Sequence, residues 1–539
     1  MNTETFNYIL SRQSGRTAVD ILTYMVEQGR PDIRPDAMTL NNALSAAEDC
    51  DEAMRLLEYW RALYQQGKVA EDADVVSHNT VLNALVRSKR MIEAEEFFGT
   101  YDHDAVSYGS LMRGYAEQGL VSQVVALLKQ MRDVDLTPST ECFNEVLHAH
   151  SKSKLPSRTE EFLLWWLRES EDDARPDVCS FNIVLHALAQ IGSDASIERA
   201  QSLFENMPSR DEVTYTTLVA ACSKLSSSSK ALGSIERIIK RMWQDDSIRV
   251  DSTVVANLLF SLARIEVQSM PDSATALIDE MKARRLPIEL AVFNALVHCW
   301  SRSGRRDAST QALRILTMLE TRKKPEPDIR TYTSVLDCLA KSREKSSFSE
   351  AEALLNRMES LGPKPNTVAY TALIQSYARS TFPDKASKAH NVLNRMDAAP
   401  WPGAKPNIVS YNLVLNAAEH SDTTELSVVE DALKVACLTF DEIRTAPVQP
   451  NHITFGTFLG VLAKLMPYSS RQEIVGLVFR RACMEGQVSP LVIKKLKEAT
   501  ETEENFRNVL DGHPSNRLPK EWTQNVSNWS ARKMRVDSG

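Results

Sequence analysis

The sequence predicts an all-α solenoid of about thirteen helical-pair repeats. Three observations carry this: a short motif that returns along most of the chain, a near-constant spacing between its copies, and two apolar stripes of helical period inside each copy.

The motif is a β-branched or aliphatic residue, Ser or Thr, an aromatic, then Asn or Thr. It reads Val106-Ser107-Tyr108, Val213-Thr214-Tyr215-Thr216, Arg330-Thr331-Tyr332-Thr333, Val368-Ala369-Tyr370-Thr371 and Val409-Ser410-Tyr411-Asn412. Weaker copies are Val76-Ser77-His78-Asn79, Cys179-Ser180-Phe181-Asn182 and Ala291-Val292-Phe293-Asn294. Counting four residues back from the Asn/Thr position puts repeat starts at 3, 37, 75, 105, 140, 178, 212, 252, 290, 329, 367, 408 and 452. The mean spacing, about 37 residues, is that of helix-pair repeats. They are repeats 1 to 13 below.

Each repeat predicts two helices. The first carries apolar residues at i, i+3, i+4 and i+7, as in Tyr332, Val335, Leu336 and Leu339; the second carries a stripe ending in Met, as in Ala351, Leu354, Leu355 and Met358. Pro followed by Asp or Asn closes many repeats, at Pro35-Asp36, Pro176-Asp177, Pro327-Asp328, Pro365-Asn366, Pro406-Asn407 and Pro450-Asn451. Proline stops the second helix and sets the next residue at a helix start. One pair cannot bury both stripes, so neighbours must stack.

This pattern resembles the pentatricopeptide repeat family over roughly residues 3 to 490, and the array is placed at 1–490. The tetratricopeptide repeat has a similar period, but its first-helix Trp and Gly are absent at matching positions. The resemblance implies a right-handed superhelix without an appended catalytic domain. Repeat 12 is long, with an insertion around Ser421–Val429, and repeat 3 is short.

The resemblance also implies that two side chains per repeat read one base of single-stranded RNA: the residue after the aromatic, and the last residue of the repeat. Hydrogen-bond chemistry supports this independently. An exposed Watson–Crick edge of U or G shows a ring N–H and wants an acceptor such as Asp; A and C show a bare ring nitrogen and want the Asn amide. Short Thr leaves room for a purine, whereas longer Asn reaches a pyrimidine. Asn7 with Asp36, Asn41 with Asp74, Asn79 with Asp104, Asn144 with Asp177, Asn182 with Asp211, and Asn294 with Asp328 then favour U. Thr216 with Asp251 favours G; Thr333 with Asn366 and Thr371 with Asn407 favour A; Asn412 with Asn451 favours C. Gly109 with Ser139, Ala256 with Glu289, and Gly456 are left without a base. With the amino terminus toward the RNA 5′ end, as the resemblance implies, the strand is UUU-x-UUG-x-UAAC. Asn and Asp at these places would also serve as helix caps.

In the family, an aliphatic residue just before the Ser/Thr wedges against each base. Val76, Val106, Val213, Val368, Val409 and Ile453 fit that role; Glu4, Glu141 and Arg330 do not. Eight residues beyond the first base-facing position stand Arg87, Lys152, Lys224, Arg264, Arg302, Lys341, Arg379 and Lys464, a recurrence suited to phosphates, with Asp49 and Glu117 as exceptions. The formal net charge is −8, so the acidic surplus is expected on the second helices and tails.

Hydrophobic residues make up 43% and charged residues 25%, as in ordinary water-soluble chains. Even Phe162-Leu163-Leu164-Trp165-Trp166-Leu167 is far short of the ~20 apolar residues of a membrane span. The eight cysteines form no C-x-x-C pair; Cys179, Cys222 and Cys338 sit in apolar helical patterns and read as small core residues. No nucleotide loop, zinc-deaminase signature or metal-holding Asp cluster is visible, so neither enzymatic activity nor a cofactor or metal is expected. Residues 491–539 read as a capping helix, Val492-Ile493-Lys494-Lys495-Leu496, and a polar tail with Trp522 and Trp529. The family implies a mitochondrion or plastid, although the first twenty residues do not read as a transit peptide. The alternative is a protein-binding scaffold on the same solenoid, such as an organellar ribosome-associated subunit.

Overall fold

The computed structural model describes residues 3–12, 16–28, 30, 33–153, 157–169, 174–322, 324–342, 345–360, 362–515 and 518–526. The regular elements among them are helices, two per repeat. Thr3–Leu10 and Arg16–Gln28 form repeat 1, Ala37–Ala46 and Cys50–Gln65 repeat 2, Val75–Arg87 and Met91–Phe98 repeat 3, Ala105–Glu117 and Val121–Asp133 repeat 4. Thr140–Lys152 and Arg158–Glu169 form repeat 5, Val178–Ile191 and Asp194–Glu205 repeat 6, Glu212–Cys222 and Ser228–Gln244 repeat 7. These seven lie in a first compact unit, Met1–Val250.

The second unit, Asp251–Gly539, holds the other six. They are Ser252–Leu262 with Met270–Ala283, Leu290–Arg302 with Ala308–Arg322, Ile329–Lys341 with Lys345–Ser360, Thr367–Arg379 with Lys385–Ala398, Ile408–Glu419 with Leu426–Thr445, and His452–Leu465 with Tyr468–Met484. Within each unit the first helices pack on one another in series, and each second helix packs on its own first helix and on the next repeat's. This is the all-α solenoid pattern the repeat spacing predicts.

Each predicted start coincides with the first residue of a helix, and the cause is local. Asp36, Asp74, Asp104, Asp177, Asp211, Asp251, Asp328, Asn366, Asn407 and Asn451 are all N-caps whose side chains accept from the backbone N–H three residues on. The motif's Ser or Thr returns a bond to the cap's own N–H in repeats 2, 4, 6, 7, 10, 12 and 13. The aromatic that follows is buried and its hydroxyl ties neighbours together: Tyr332 donates to Glu320 and Tyr370 to Glu359, both at 2.7 Å, from one repeat to the preceding second helix. Burial, then the Glu320 carboxylate, pushes the Tyr332 phenol up to about 12.

The core is the pair of stripes. Trp60, Trp166, Tyr215 and Phe204 are fully buried in the first unit, and Tyr370, Phe455 and Phe479 in the second. Burying each such side chain stabilises by about 1.5–3 kcal/mol or more. Repeat 3 is short because its second helix, Met91–Phe98, has only eight residues. At its end the rings of Phe98 and His103 stack 3.8 Å apart, and Tyr108 meets Phe98 edge-on. The extra residues of repeat 12 form a loop and lengthen its second helix, Leu426–Thr445, to 20 residues, the longest among the described residues.

After repeat 13 come Pro490–Thr500, Glu503–Val509 and Lys520–Thr523. The chain returns so that Val488 N–H donates to Trp522 O (2.8 Å) and the Trp522 ring meets Phe479 edge-on. Trp529 lies outside the described residues. Among those residues no helix is long and apolar enough to cross a membrane, and no group of three His, Cys, Asp or Glu could hold a metal.

Candidate nucleic-acid interface

The pairs headed by Asn on sequence grounds meet in space. Asn7 Nδ2 donates to Asp36 Oδ1 at 3.0 Å, Asn79 to Asp104 at 3.0 Å, Asn144 to Asp177 at 3.3 Å, and Asn182 to Asp211 at 3.0 Å. Asn412 donates to Asn451 Oδ1 at 3.2 Å; the contacts of Asn41 with Asp74 and Asn294 with Asp328 are longer, at 3.4 Å. Each pair joins one first helix to the cap of the next. The motif hydroxyl closes the triangle: Thr39, Ser77, Ser107, Ser180, Thr214 and Thr454 stand 2.6–2.8 Å from the Asn Oδ1. Repeat 9 departs from this, since Asn294 Oδ1 is buried and has no partner among the described residues.

Capping and base reading do not compete for the same atom. In Asp36, Asp104, Asp177 and Asp211 the cap, the hydroxyl and the Asn amide all engage Oδ1, and Oδ2 takes no part in those bonds. In Asn366, Asn407 and Asn451 the cap again uses Oδ1, which leaves the amide nitrogen out of it. A cap that spends one acceptor on the helix leaves the second atom out of the cap: an acceptor in Asp, a donor in Asn. The two repeats given no base in mid-array lack this arrangement, for neither Ser139 nor Glu289 makes a side-chain cap bond. Where Thr takes the place of Asn, its hydroxyl turns back to its own helix: Thr216 to Glu212 O, Thr333 to Ile329 O, Thr371 to Thr367 O.

Five of the cap carboxylates are held ionised. Burial raises the pKa of Asp36, Asp74, Asp104, Asp177 and Asp211, but hydrogen bonds from the motif Ser/Thr, the paired Asn and backbone N–H groups outweigh it, so each sits below the ordinary 3.8. A carboxyl depressed on folding contributes stability above its unfolded pKa and loses it as pH falls through the folded value. All five belong to the first unit. Urea unfolding followed by circular dichroism should therefore show the Met1–Val250 repeats losing stability below about pH 4; a midpoint equal at pH 5 and pH 3 would contradict these bonds.

The wedge residues lie where the motif puts them. Val76, Val106, Val213, Val368, Val409 and Ile453 are exposed apolar side chains at the second residue of their helices. Packing gives no reason for such a row. The same register also exposes Met38, at 62%, and Cys179, which sequence reasoning missed. Cys179 is thus not a core residue, whereas Cys222 and Cys338 are buried.

The basic column is of two kinds. Arg87, Lys152, Arg264 and Arg379 are exposed and make no hydrogen bond or ion pair among the described residues. The other four are engaged. Lys224 Nζ donates to Ala189 O (2.7 Å) and Lys464 to Ser421 O (3.1 Å), carbonyls at or just past the ends of preceding first helices. Lys341 pairs with Asp337 at 2.5 Å and with Ser301 at 3.0 Å, and Arg302 pairs with Glu266. Four residues past Asn144, Asn182 and Asn294 stand His148 and His298, half-buried, and His186, exposed; partial desolvation, then the cations nearby (Lys152 for His148 and His186, Lys341 for His298), lowers each ring's pKa. An i+4 spacing from Asn144, Asn182 and Asn294 is the signal that marks them.

Comparison with known proteins bears on the family. A family model described as pentatricopeptide repeat-containing protein matches residues 254–393, and the PPR repeat model matches 76–100, 106–136 and 213–241. The chain is a pentatricopeptide repeat protein. Among its relatives in Arabidopsis thaliana, one pentatricopeptide repeat-containing protein is 22% identical over 249 residues, 44% of this chain and 42% of the relative. A chloroplastic one is 26% identical over 236 residues, 43% and 25% of the two. A mitochondrial one is 21% identical over 209 residues, 38% and 44%. The pentatricopeptide repeat chain thus matches less than half the length of each. Solved structures similar to it include maize PPR10, with TM-score 0.45 and 18% identity over 100% of this chain and 80% of that one. Yeast Rmd9p in complex with a 16-nt target RNA has TM-score 0.37 and 11% identity over 92% and 94%.

Proposed function

We propose that this chain is a sequence-specific single-stranded RNA-binding protein of organellar RNA metabolism. It acts by occupying its RNA one base per repeat, so stabilising, exposing or protecting the transcript, and catalyses no step itself. The observation that carries this is the set of caps Asp36, Asp104, Asp177, Asp211, Asn366 and Asn407, each spending one side-chain atom on the helix and keeping a second, of defined hydrogen-bond sense, for a base edge. The exposed aliphatic row supplies faces for the bases, and the four unpaired cations supply partners for phosphates. Organellar relatives support the compartment. The strand that fits is UUU-x-UUG-x-UAAC, amino terminus toward the 5′ end.

The test is fluorescence anisotropy with that RNA and with a scrambled strand of equal composition. Mismatches cost about 1–3 kcal/mol each, so the scrambled strand should bind about 100-fold weaker or more. The bound RNA should stay intact with Mg²⁺. Equal affinity for both strands, or none for either, would reject sequence reading and favour a protein-binding scaffold.

A further inference from the structure

Two repeats carry glycine at the first base-facing position, and their surroundings are opposite. At Gly109 of repeat 4 a Cβ would meet nothing within 4 Å. At Gly456 of repeat 13 it would lie 2.8 Å from Cγ and 3.0 Å from Cδ2 of Leu491. Leu491 is the second residue of Pro490–Thr500, the register of the wedges Val409 and Ile453, and Ser489 caps that helix from the register of Asn407 and Asn451. Where Val409 and Ile453 are exposed, Leu491 is half-buried against the glycine.

A second contact closes the same repeat one turn further on. The place of a Cβ on Gly460 is taken by the carboxylate of Glu419, from repeat 12. That carboxylate meets Lys495 of the terminal helix at 2.9 Å, and Lys495 also holds Glu498 at 2.7 Å. The bridge passes over repeat 13 because residue 460 has no side chain. It sets Glu419 and Glu498 beside Lys464, whose amine is already committed to the Ser421 carbonyl.

We propose that repeat 13 is a closed repeat. Leu491 and the Glu419–Lys495 bridge fill the space for its base and the adjoining phosphate, so the RNA leaves the groove after the base read by Asn412 and Asn451. This rests on the RNA reading proposed above.

The experiment compares the full chain's affinity for the 12-nucleotide strand, its x positions held constant, with four strands one nucleotide longer beyond the final C, one for each base. For the wild type, all four should bind within about two-fold of the 12-mer. The Leu491→Ala, Gly456→Asn double variant removes the plug and supplies a reading side chain. For it, the longer strands should bind about five-fold tighter or more than the 12-mer, the scale of one stacked base. A wild-type gain of that size, or a ranking of the four added bases, overturns the closed repeat. So does a folded double variant that gains nothing. Should the variant fail to fold, the wild-type comparison decides alone. A 12-mer bound no better than a scrambled strand removes the RNA reading itself, and the closed repeat with it.

Discussion

Asn407→Asp should turn repeat 11 from a reader of A into a reader of G. The change exchanges an amide nitrogen for a carboxylate oxygen and alters nothing else in size. The cap survives, because Asn407 holds the Ser410 N–H through Oδ1 at 3.0 Å and Asp is as good an N-cap as Asn. Stability should stay within about 0.5 kcal/mol. What changes is the atom left out of the cap. The amide nitrogen, the proposed donor to the bare ring nitrogen of A, becomes an oxygen that would accept from the ring N–H of G. Thr371 is untouched, its hydroxyl turned back to Thr367 O, so the purine keeps its space. Discrimination at that one base should be about 1–3 kcal/mol in each protein, with opposite sign. Affinities for RNAs that differ only at the base facing repeat 11 measure it. If both proteins rank the four bases alike, the caps of this array are caps only.

That result would also explain why so much was legible in the sequence. Asp or Asn behind a proline is a start signal of short range, so the helix starts at Ala37, Val178, Ile329, Thr367, Ile408 and His452 follow from a few adjacent residues. The pairing of Asn182 with Asp211 was legible too, because stacked repeats turn a fixed spacing into a contact. The division of labour between Oδ1 and Oδ2 of one carboxylate was not, since it depends on which way the cap faces. Contacts set by packing were hidden as well. Gly109 and Gly456 look alike in the chain and differ only through Leu491. Cys179 reads as core from its apolar neighbours, yet the second residue of a first helix lies outside the stripe that packs. Lys224 and Lys341 share a register with Arg87, and only the fold shows that Ala189 O and Asp337 have claimed them.

The last difference sets the second large effect. Arg87, Lys152, Arg264 and Arg379 are exposed, and their charges are not offset by a bonded partner among the described residues. Changing all four to Ala should weaken binding to matched and scrambled RNA by the same factor, because a phosphate carries no sequence. Each lost contact to a single strand should make the dependence of log affinity on log salt shallower by about 0.7, so the four together by up to about 3. Melting temperature should hardly move, since no bond within the protein is removed. Lys224→Ala, Lys341→Ala and Lys464→Ala together should do the reverse. Lys224 and Lys464 hold carbonyls at helix ends and Lys341 bridges Asp337 to Ser301, so their loss should lower the melting temperature while changing the slope less. Affinity measured from 50 to 300 mM salt, with a thermal melt of each variant, separates the two groups. If the first set leaves the slope unchanged, those cations merely solvate the surface, and the RNA backbone must be held elsewhere.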